Sequence, residues 1–233
     1  MKNKLIIILC FLVFKAESQN NRATFGLQYK PIIPSSYFNA VEQVSGANKF
    51  YLNTKYSNSF GMVIRYKINN TFSIEGGINY IQRNFILASN PEYLPSCPSE
   101  PPIYTSDQTK FNLRSYELPI QVLTYVRASK NWYLNIAFGI SHNTLASDVF
   151  SEFEKQSAFQ NTYRRPGGYQ ALLANIGMEF RDDKTGHYYI GASLHRPWEP
   201  IAKVYPEPSG GEEIIFDIIG NFITLDLRYF FVK

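Results

Sequence analysis

Three residues of this 233-residue chain have the types that a hydrolase uses: Ser193 as nucleophile, His195 as base and Glu179 as orienting carboxylate. Ser193 and His195 are two positions apart, so on a strand they share a face, and Glu179 reaches them only if a neighbouring strand brings it there. The competing reading makes His195 one member of a buried polar network. No nucleophile elbow, phosphate loop or metal-binding pair of histidines occurs, so no catalytic residue, cofactor site or metal site is assigned. His142 follows Ser141 at a strand end, where a rim hydrogen bond suffices, and His187 lies beside a turn and is expected to be solvated. Charges of both signs recur at Arg65, Lys67, Glu75, Glu117, Glu179, Asp226 and Arg228. Two arginine groups lie next to prolines, Arg164-Arg165 before Pro166-Gly167-Gly168 and Arg196 before Pro197-Trp198-Glu199-Pro200. A guanidinium binds phosphate bidentately, so Arg164, Arg165 and Arg196 are candidate lipopolysaccharide contacts; ordinary loop charge is the alternative for each.

The elements that carry these residues read as strands. From Thr24 onward apolar residues alternate with small or polar ones in runs of about ten, the period of a strand with two unlike faces. Eight runs are found, the first near residues 24–33 and interrupted by Pro31. The second is the clearest, with Phe60, Met62, Ile64, Tyr66 and Ile68 in one phase and Gly61, Val63, Arg65 and Lys67 in the other. The third sets Phe72, Ile74, Ile78 and Tyr80 against Ser73, Glu75, Gly77, Asn79 and Arg83. The fourth sets Tyr116, Leu118, Ile120 and Val122 against Ser115, Glu117 and Gln121. Runs near Trp132–Ser141, Leu172–Phe180, Tyr188–His195 and Ile223–Phe231 complete the set.

Connections alternate between long, near residues 34–57, 86–112, 144–167 and 198–216, and short, at Asn69-Asn70, Ala128-Ser129-Lys130 and Asp182–Gly186. Up-and-down strands return to the same end at every second connection. One end therefore has tight turns and the other four long loops, as in a bacterial outer-membrane barrel. The choice against a soluble barrel rests on which phase points inward. An eight-stranded interior barely holds side chains, which suits the glycines and charges of the polar phase; the bulky apolar phase fits only outside, against lipid. Phe60, Tyr80, Tyr116, Trp132, Phe180, Tyr188, Tyr229 and Phe231 then form interfacial girdles. The expected fold is all-β, an eight-stranded antiparallel up-and-down transmembrane β-barrel, with the named charges paired in its lumen.

The only long apolar run, Leu5–Phe14, follows Lys2 and Lys4 and precedes Ala16-Glu17-Ser18, the pattern of a cleaved signal peptide over 1–18 before a barrel domain over 19–233. Cys10 is filler within that run, which leaves Cys97 as the single cysteine of the exported part and rules out an intrachain disulfide there. The mean hydropathy is −0.22, which excludes a helical membrane bundle. Loss of Lys2, Lys4, Lys15 and Glu17 brings the formal charge of +4 closer to zero, so the chain lacks the electrostatic footprint of a nucleic-acid partner. An even strand count places both termini on the periplasmic side and the long loops outside the cell. The proline-rich stretch from Pro91 to Pro102 is a stiff candidate surface for a protein partner, and stiffening of a loop is its other reading.

Phe25-Gly-Leu-Gln-Tyr-Lys-Pro31, Tyr116-Glu-Leu-Pro-Ile-Gln121 and Leu225-Asp-Leu-Arg-Tyr-Phe-Phe231 resemble the PorT-like outer-membrane β-barrel proteins of the Bacteroidetes. The resemblance implies an eight-stranded barrel of the outer membrane, inserted by the barrel-assembly machinery; founding members are linked to type IX secretion. The leading reading is a non-enzymatic barrel, structural, anchoring or accessory to a surface or secretion assembly through its loops. The second is a lipid A-modifying hydrolase using His195, and the third a small solute channel.

Overall fold

The structure is a computed structural model that describes residues 22–34, 41–45, 48–91, 107–154, 159–182, 184–207 and 215–231. The segment over 1–18 and Cys97 lie outside them, as does all but the first residue of the Pro91–Pro102 stretch. Fourteen strands are described: β1 (Ala23–Ile33), β2 (Val41–Ser45), β3 (Asn48–Thr54), β4 (Ser57–Lys67), β5 (Phe72–Pro91), β6 (Asp107–Arg127), β7 (Trp132–Leu145), β8 (Val149–Glu152), β9 (Phe159–Arg164), β10 (Tyr169–Asp182), β11 (Gly186–Pro197), β12 (Ala202–Glu207), β13 (Phe216–Ile218) and β14 (Phe222–Phe230). Eight of them, β1-β4-β5-β6-β7-β10-β11-β14, form a closed antiparallel ring, sealed where β14 pairs with β1 at Leu27 opposite Tyr229.

The short turns have local causes. Asn69 Oδ1 accepts hydrogen bonds from the amides of Thr71 and Phe72 and so closes the β4–β5 turn. Thr185 Oγ1 and the Lys184 amide donate to the Asp182 carboxylate, which holds that exposed carboxyl below its usual range.

In the stretches expected to be long loops, most of the described residues lie in strands that prolong the barrel wall. β3 continues β4 along β5, with β2 on its far side, while β8-β9-β12-β13 repeats the order of β7-β10-β11-β14 in a second sheet. Left-handed glycines lie where the chain passes between the two levels, before β10 and before β14. Gly168 (φ +79°) lies against the Asn143 carbonyl and Gly220 (φ +84°) against Ile201, positions where a side chain would meet both strain and contact.

The two levels have opposite polarity. In the ring, Ile74 and Ile78 of β5 point out while Glu75 and Asn79 point in. Past Ile81 the strand keeps its alternation but exchanges its content, so that Phe85 and Leu87 point in and Gln82 and Asn84 out. β6 does the same: Glu117 is inside and Leu118 outside, whereas higher up Phe111 and Leu113 are inside and Lys110 and Arg114 outside. The upper level thus encloses an apolar core in which Phe50, Leu52, Phe85, Leu87, Phe111 and Leu145 of one sheet meet Val204, Phe216 and Ile218 of the other. Each such side chain contributes about 1.5–3 kcal/mol on burial. The cap is a water-type β-sandwich standing on a membrane-type barrel.

The outward apolar band bounds the membrane. On β6 it runs from Tyr116 to Val126, a rise of roughly 26 Å at a ~40° strand tilt, against the ~25 Å band of such barrels. Aromatics ring both edges: Phe60, Tyr80 and Tyr116 in a row at the cap side (centroids 5.2 and 5.8 Å apart), and Trp132–Phe180 (5.1 Å) and Tyr188–Tyr229 (5.2 Å) at the turn side.

Inward glycines make room for larger neighbours. Gly177 and Gly191 face each other across β10 and β11, and the Tyr189 phenol fills the space a Cβ would need at either. A Gly191→Val variant also meets the Ile176 carbonyl, which is backbone and cannot yield. We expect it to lower the yield of heat-modifiable folded protein in detergent refolding, with a stability loss of about 1–3 kcal/mol.

Candidate functional site: the charged lumen and the cap surface

At the turn side the lumen is crossed by one alternating chain of charges. Lys30 Nζ lies 3.6 Å from Asp226 Oδ2, which Arg228 Nη2 also reaches at 2.7 Å. Arg228 pairs with Glu75, whose other oxygen is 3.0 Å from Arg65 Nη2. Arg65 Nη1 donates to Glu179 at 2.6 Å, and Arg181 Nε donates to the second Glu179 oxygen at 2.6 Å. Five strands, β1, β4, β5, β10 and β14, supply this chain, which therefore ties opposite walls together. Aromatic rings bracket the guanidiniums: Arg65 lies 3.8 Å over Phe230, Arg228 4.7 Å over Tyr189 and Arg181 4.0 Å over Tyr133. Charges this deep persist only when paired, because an isolated one costs several kcal/mol in desolvation.

Above this chain lies a second, less charged layer. Gln28 donates to Asn79, Asn79 donates to Glu117 Oε2 at 2.7 Å, and Glu117 Oε1 is 3.5 Å from His195 Nε2. His195 is 2% exposed and its ring is stacked on Phe222 at 4.3 Å with 12° between planes. At the junction with the cap, Arg83 Nη1 donates to the Gly220 carbonyl at 2.9 Å, while its guanidinium lies between the Phe85 and Phe222 rings. Arg83 thus joins a barrel strand to the bend leading into β14.

Of the charges expected in the lumen, Arg65, Glu75, Glu117, Glu179, Asp226 and Arg228 are buried there. Lys67 is not: it lies one residue pair beyond Arg65 at the solvated turn end, beside Asn69 and Asn70. Lys30 and Arg181 belong to the chain although the sequence reading did not select them. Lys30 shares the inward phase with Gln28, and Arg181 shares it with Glu179, so strict alternation could have found both.

The hydrolase trio is not assembled. Ser193 donates to Asp226 Oδ2 at 2.6 Å and accepts from Asn175 at 2.8 Å. Glu179 lies opposite Tyr189, four residues along β10 from the partner of Ser193, a separation of about 13 Å. His195 has Glu117 and Phe222 as neighbours instead.

The three rim arginines differ from one another. Arg164 Nη1 donates to the carbonyls of Leu145 (3.1 Å) and Ala146 (2.8 Å), and its Nε lies 3.7 Å from Asp148. Arg165 is paired with Glu199. Both belong to the cap rather than the membrane edge. Arg196, on β11 opposite Leu172 and next to exposed Trp198, points outward at the upper edge of the apolar band. His142 Nδ1 accepts a hydrogen bond from Gln170 Nε2 at 2.9 Å on that same edge.

A closed ring of eight strands with a charged interior and an apolar, aromatic-bounded exterior defines an integral β-barrel membrane protein. The family of outer membrane protein beta-barrel domains matches residues 18–195, and the chain belongs to it. It is accordingly an integral protein of the outer membrane, in contact with the lipid there. Among solved structures it is similar to the outer membrane protein OprG of Pseudomonas aeruginosa (10% identity, 91% of this chain and 95% of that one, TM-score 0.47). It is similar also to AlkL (9%, 91% and 92%, TM-score 0.48). The attachment invasion locus protein Ail of Yersinia pestis, solved with a heparin analogue, aligns at 15% identity over 90% of this chain and 98% of that one, with a TM-score of 0.40. A search of curated protein sequences returned no match.

Proposed function

We propose that this protein is a non-enzymatic outer-membrane anchor that displays its β-sandwich cap at the cell surface, as a structural or accessory part of a surface or secretion assembly. In this reading the cap is extracellular, the tight turns and both termini are periplasmic, and the barrel-assembly machinery inserts the chain. The observation that carries it is the filled bore: the seven-membered charge chain spans the lumen, the Gln28–Asn79–Glu117–His195 layer lies above it, and the apolar core of Phe85, Leu87, Phe111, Leu113 and Phe216 stands above that. Among the described residues the charges of the chain are held in ion pairs with one another rather than lining an open solute path. What remains for function is the outer surface of the cap. The PorT-like resemblance, carried by Tyr116-Glu-Leu-Pro-Ile-Gln121, favours a role beside type IX-like secretion. Arg196 supplies a lipopolysaccharide phosphate contact at the membrane edge; Arg164 and Arg165 are engaged with carboxylates.

Single cysteines in a Cys97→Ser background test the orientation. Lys110→Cys on the cap should react with a membrane-impermeant maleimide in intact cells, and Ser129→Cys in a tight turn only after the outer membrane is opened. The reverse pattern would invert the proposed topology. For the chemistry, His195→Ala should leave the lipid A profile of the cell unchanged by mass spectrometry, since the ring is enclosed by Phe222, Tyr169 and Glu117. An acyl chain retained only when His195 is removed would establish the hydrolase instead.

A further inference from the structure

The outward face of the cap's second sheet carries its own recognition surface. Across β9, β12 and β13, Tyr163, Lys203 and Asp217 stand side by side in one register row, and Asn161 and Tyr205 form the next. Tyr163 is 52% exposed, and its ring is held edge-on by Tyr205 at 5.4 Å and 74°. Beside it opens a cavity of about 690 Å³, bounded by Tyr163, Arg164, Arg165, Pro166, Pro200 and Lys203, with Asp217 also at its wall. The site is stiff. Two prolines border it, the Arg165 amide donates to the Ile201 carbonyl, and Arg164 is clamped by two carbonyls.

Its electrostatics identify the ligand class. Three cations, Arg164, Arg165 and Lys203, are set against three carboxylates, those of Asp148, Glu199 and Asp217, with Arg164–Asp148 and Arg165–Glu199 ion-paired and Lys203 in register with Asp217. A phosphate site needs unopposed positive charge, and here two of the three cations are already held in ion pairs, so a phosphate would have Lys203 alone or would have to displace a carboxylate. A balanced set instead offers donors and acceptors together without net field, next to an exposed aromatic face. That combination suits a neutral sugar, whose hydroxyls both donate and accept and whose C–H face packs on a ring. Height agrees. Tyr163 lies roughly 15–20 Å beyond Leu172, the last lipid-facing residue of its chain segment, at the rise of a tilted strand. Arg196 sits at the edge itself, where lipid phosphates are, so the cavity lies in the layer of saccharide above them.

The geometry points to a binding site for neutral saccharide in the Tyr163–Lys203 cavity, its occupant the sugar chain of the cell's own outer-leaflet glycolipid. This rests on the extracellular placement of the cap proposed above, whereas the test does not, because it uses detergent-solubilised protein. Polysaccharide released by mild acid from that glycolipid is titrated by calorimetry and by NMR of the tyrosine ring signals, with inorganic phosphate as the second probe. Binding of the polysaccharide, weakened about tenfold by Tyr163→Ala and not displaced by phosphate, is expected. Tyr163 is on the surface, and retention of the heat-modifiable gel shift verifies that the variant is folded. No binding of the polysaccharide at millimolar concentration would overturn the proposal. So would binding of phosphate that depends on Arg165 and is indifferent to Tyr163. Failure of the maleimide experiment with intact polysaccharide binding would overturn the orientation and the source of the sugar, leaving the site itself in place.

Discussion

Replacing Arg65 with leucine is expected to destabilise the folded barrel by about 3–5 kcal/mol, the cost of removing one partner from a buried pair. Arg65 is the central link of the lumen chain, bonded to Glu75 of its neighbouring strand and to Glu179 across the barrel. Without it, each carboxylate loses a guanidinium in a site closed to water by Phe230 and Tyr125. Urea unfolding in lipid vesicles, followed by the loss of heat-modifiable migration, measures the effect. Glu75 keeps Arg228 and Glu179 keeps Arg181, so neither carboxylate is left wholly unpaired and the loss should lie toward the lower end of that range. Equal stability of wild type and Arg65→Leu would show that the chain carries no weight.

The cap answers to a different force. Phe216→Ala is expected to cost about 3–5 kcal/mol by emptying the space between the two cap sheets, where Phe216 meets Phe50 edge-to-face at 6.2 Å. The barrel below keeps its own hydrogen-bonded ring, so the loss should fall on the cap. Protease is expected to cut within 149–207 while the gel shift of the barrel persists. Phe138→Ala, on a lipid-facing side chain that is 66% exposed, should leave protease resistance unchanged.

The ring and its inside-outside assignment were legible because two unlike solvents impose strict alternation on each strand, as in Phe72, Ile74, Ile78 and Tyr80 against Ser73, Glu75 and Asn79. The cap was not legible, and the reason is physical. When β5 leaves the lipid its outer face must turn polar and its inner face apolar, so the apolar residues move from even positions, Ile78 and Tyr80, to odd ones, Ile81, Phe85 and Leu87. A phase change of that kind reads in a sequence as the end of a strand. β6 repeats it between Leu113 and Tyr116, and the regions between such points therefore read as loops. Lys67 differs for the converse reason: its phase is right, but phase says nothing of depth, and Lys67 is the last residue of β4, at the solvated turn end. The hydrolase trio failed on registry, since Ser193 and His195 do share a face while Glu179 sits four residues too far along β10.

A nitroxide scan of β5 from Phe72 to Ala88 in lipid vesicles tests the central claim, that one continuous wall reverses its polarity at the membrane edge. Oxygen, concentrated in the lipid, should relax labels at Ile74, Ile78 and Tyr80 and spare those at Glu75 and Asn79. From Gln82 upward a water-soluble relaxant should take over at Asn84, while Phe85 and Leu87 stay shielded from both reagents. Lipid accessibility that persists at Asn84 and Ala88, or water access at Phe85 and Leu87, would contradict the account.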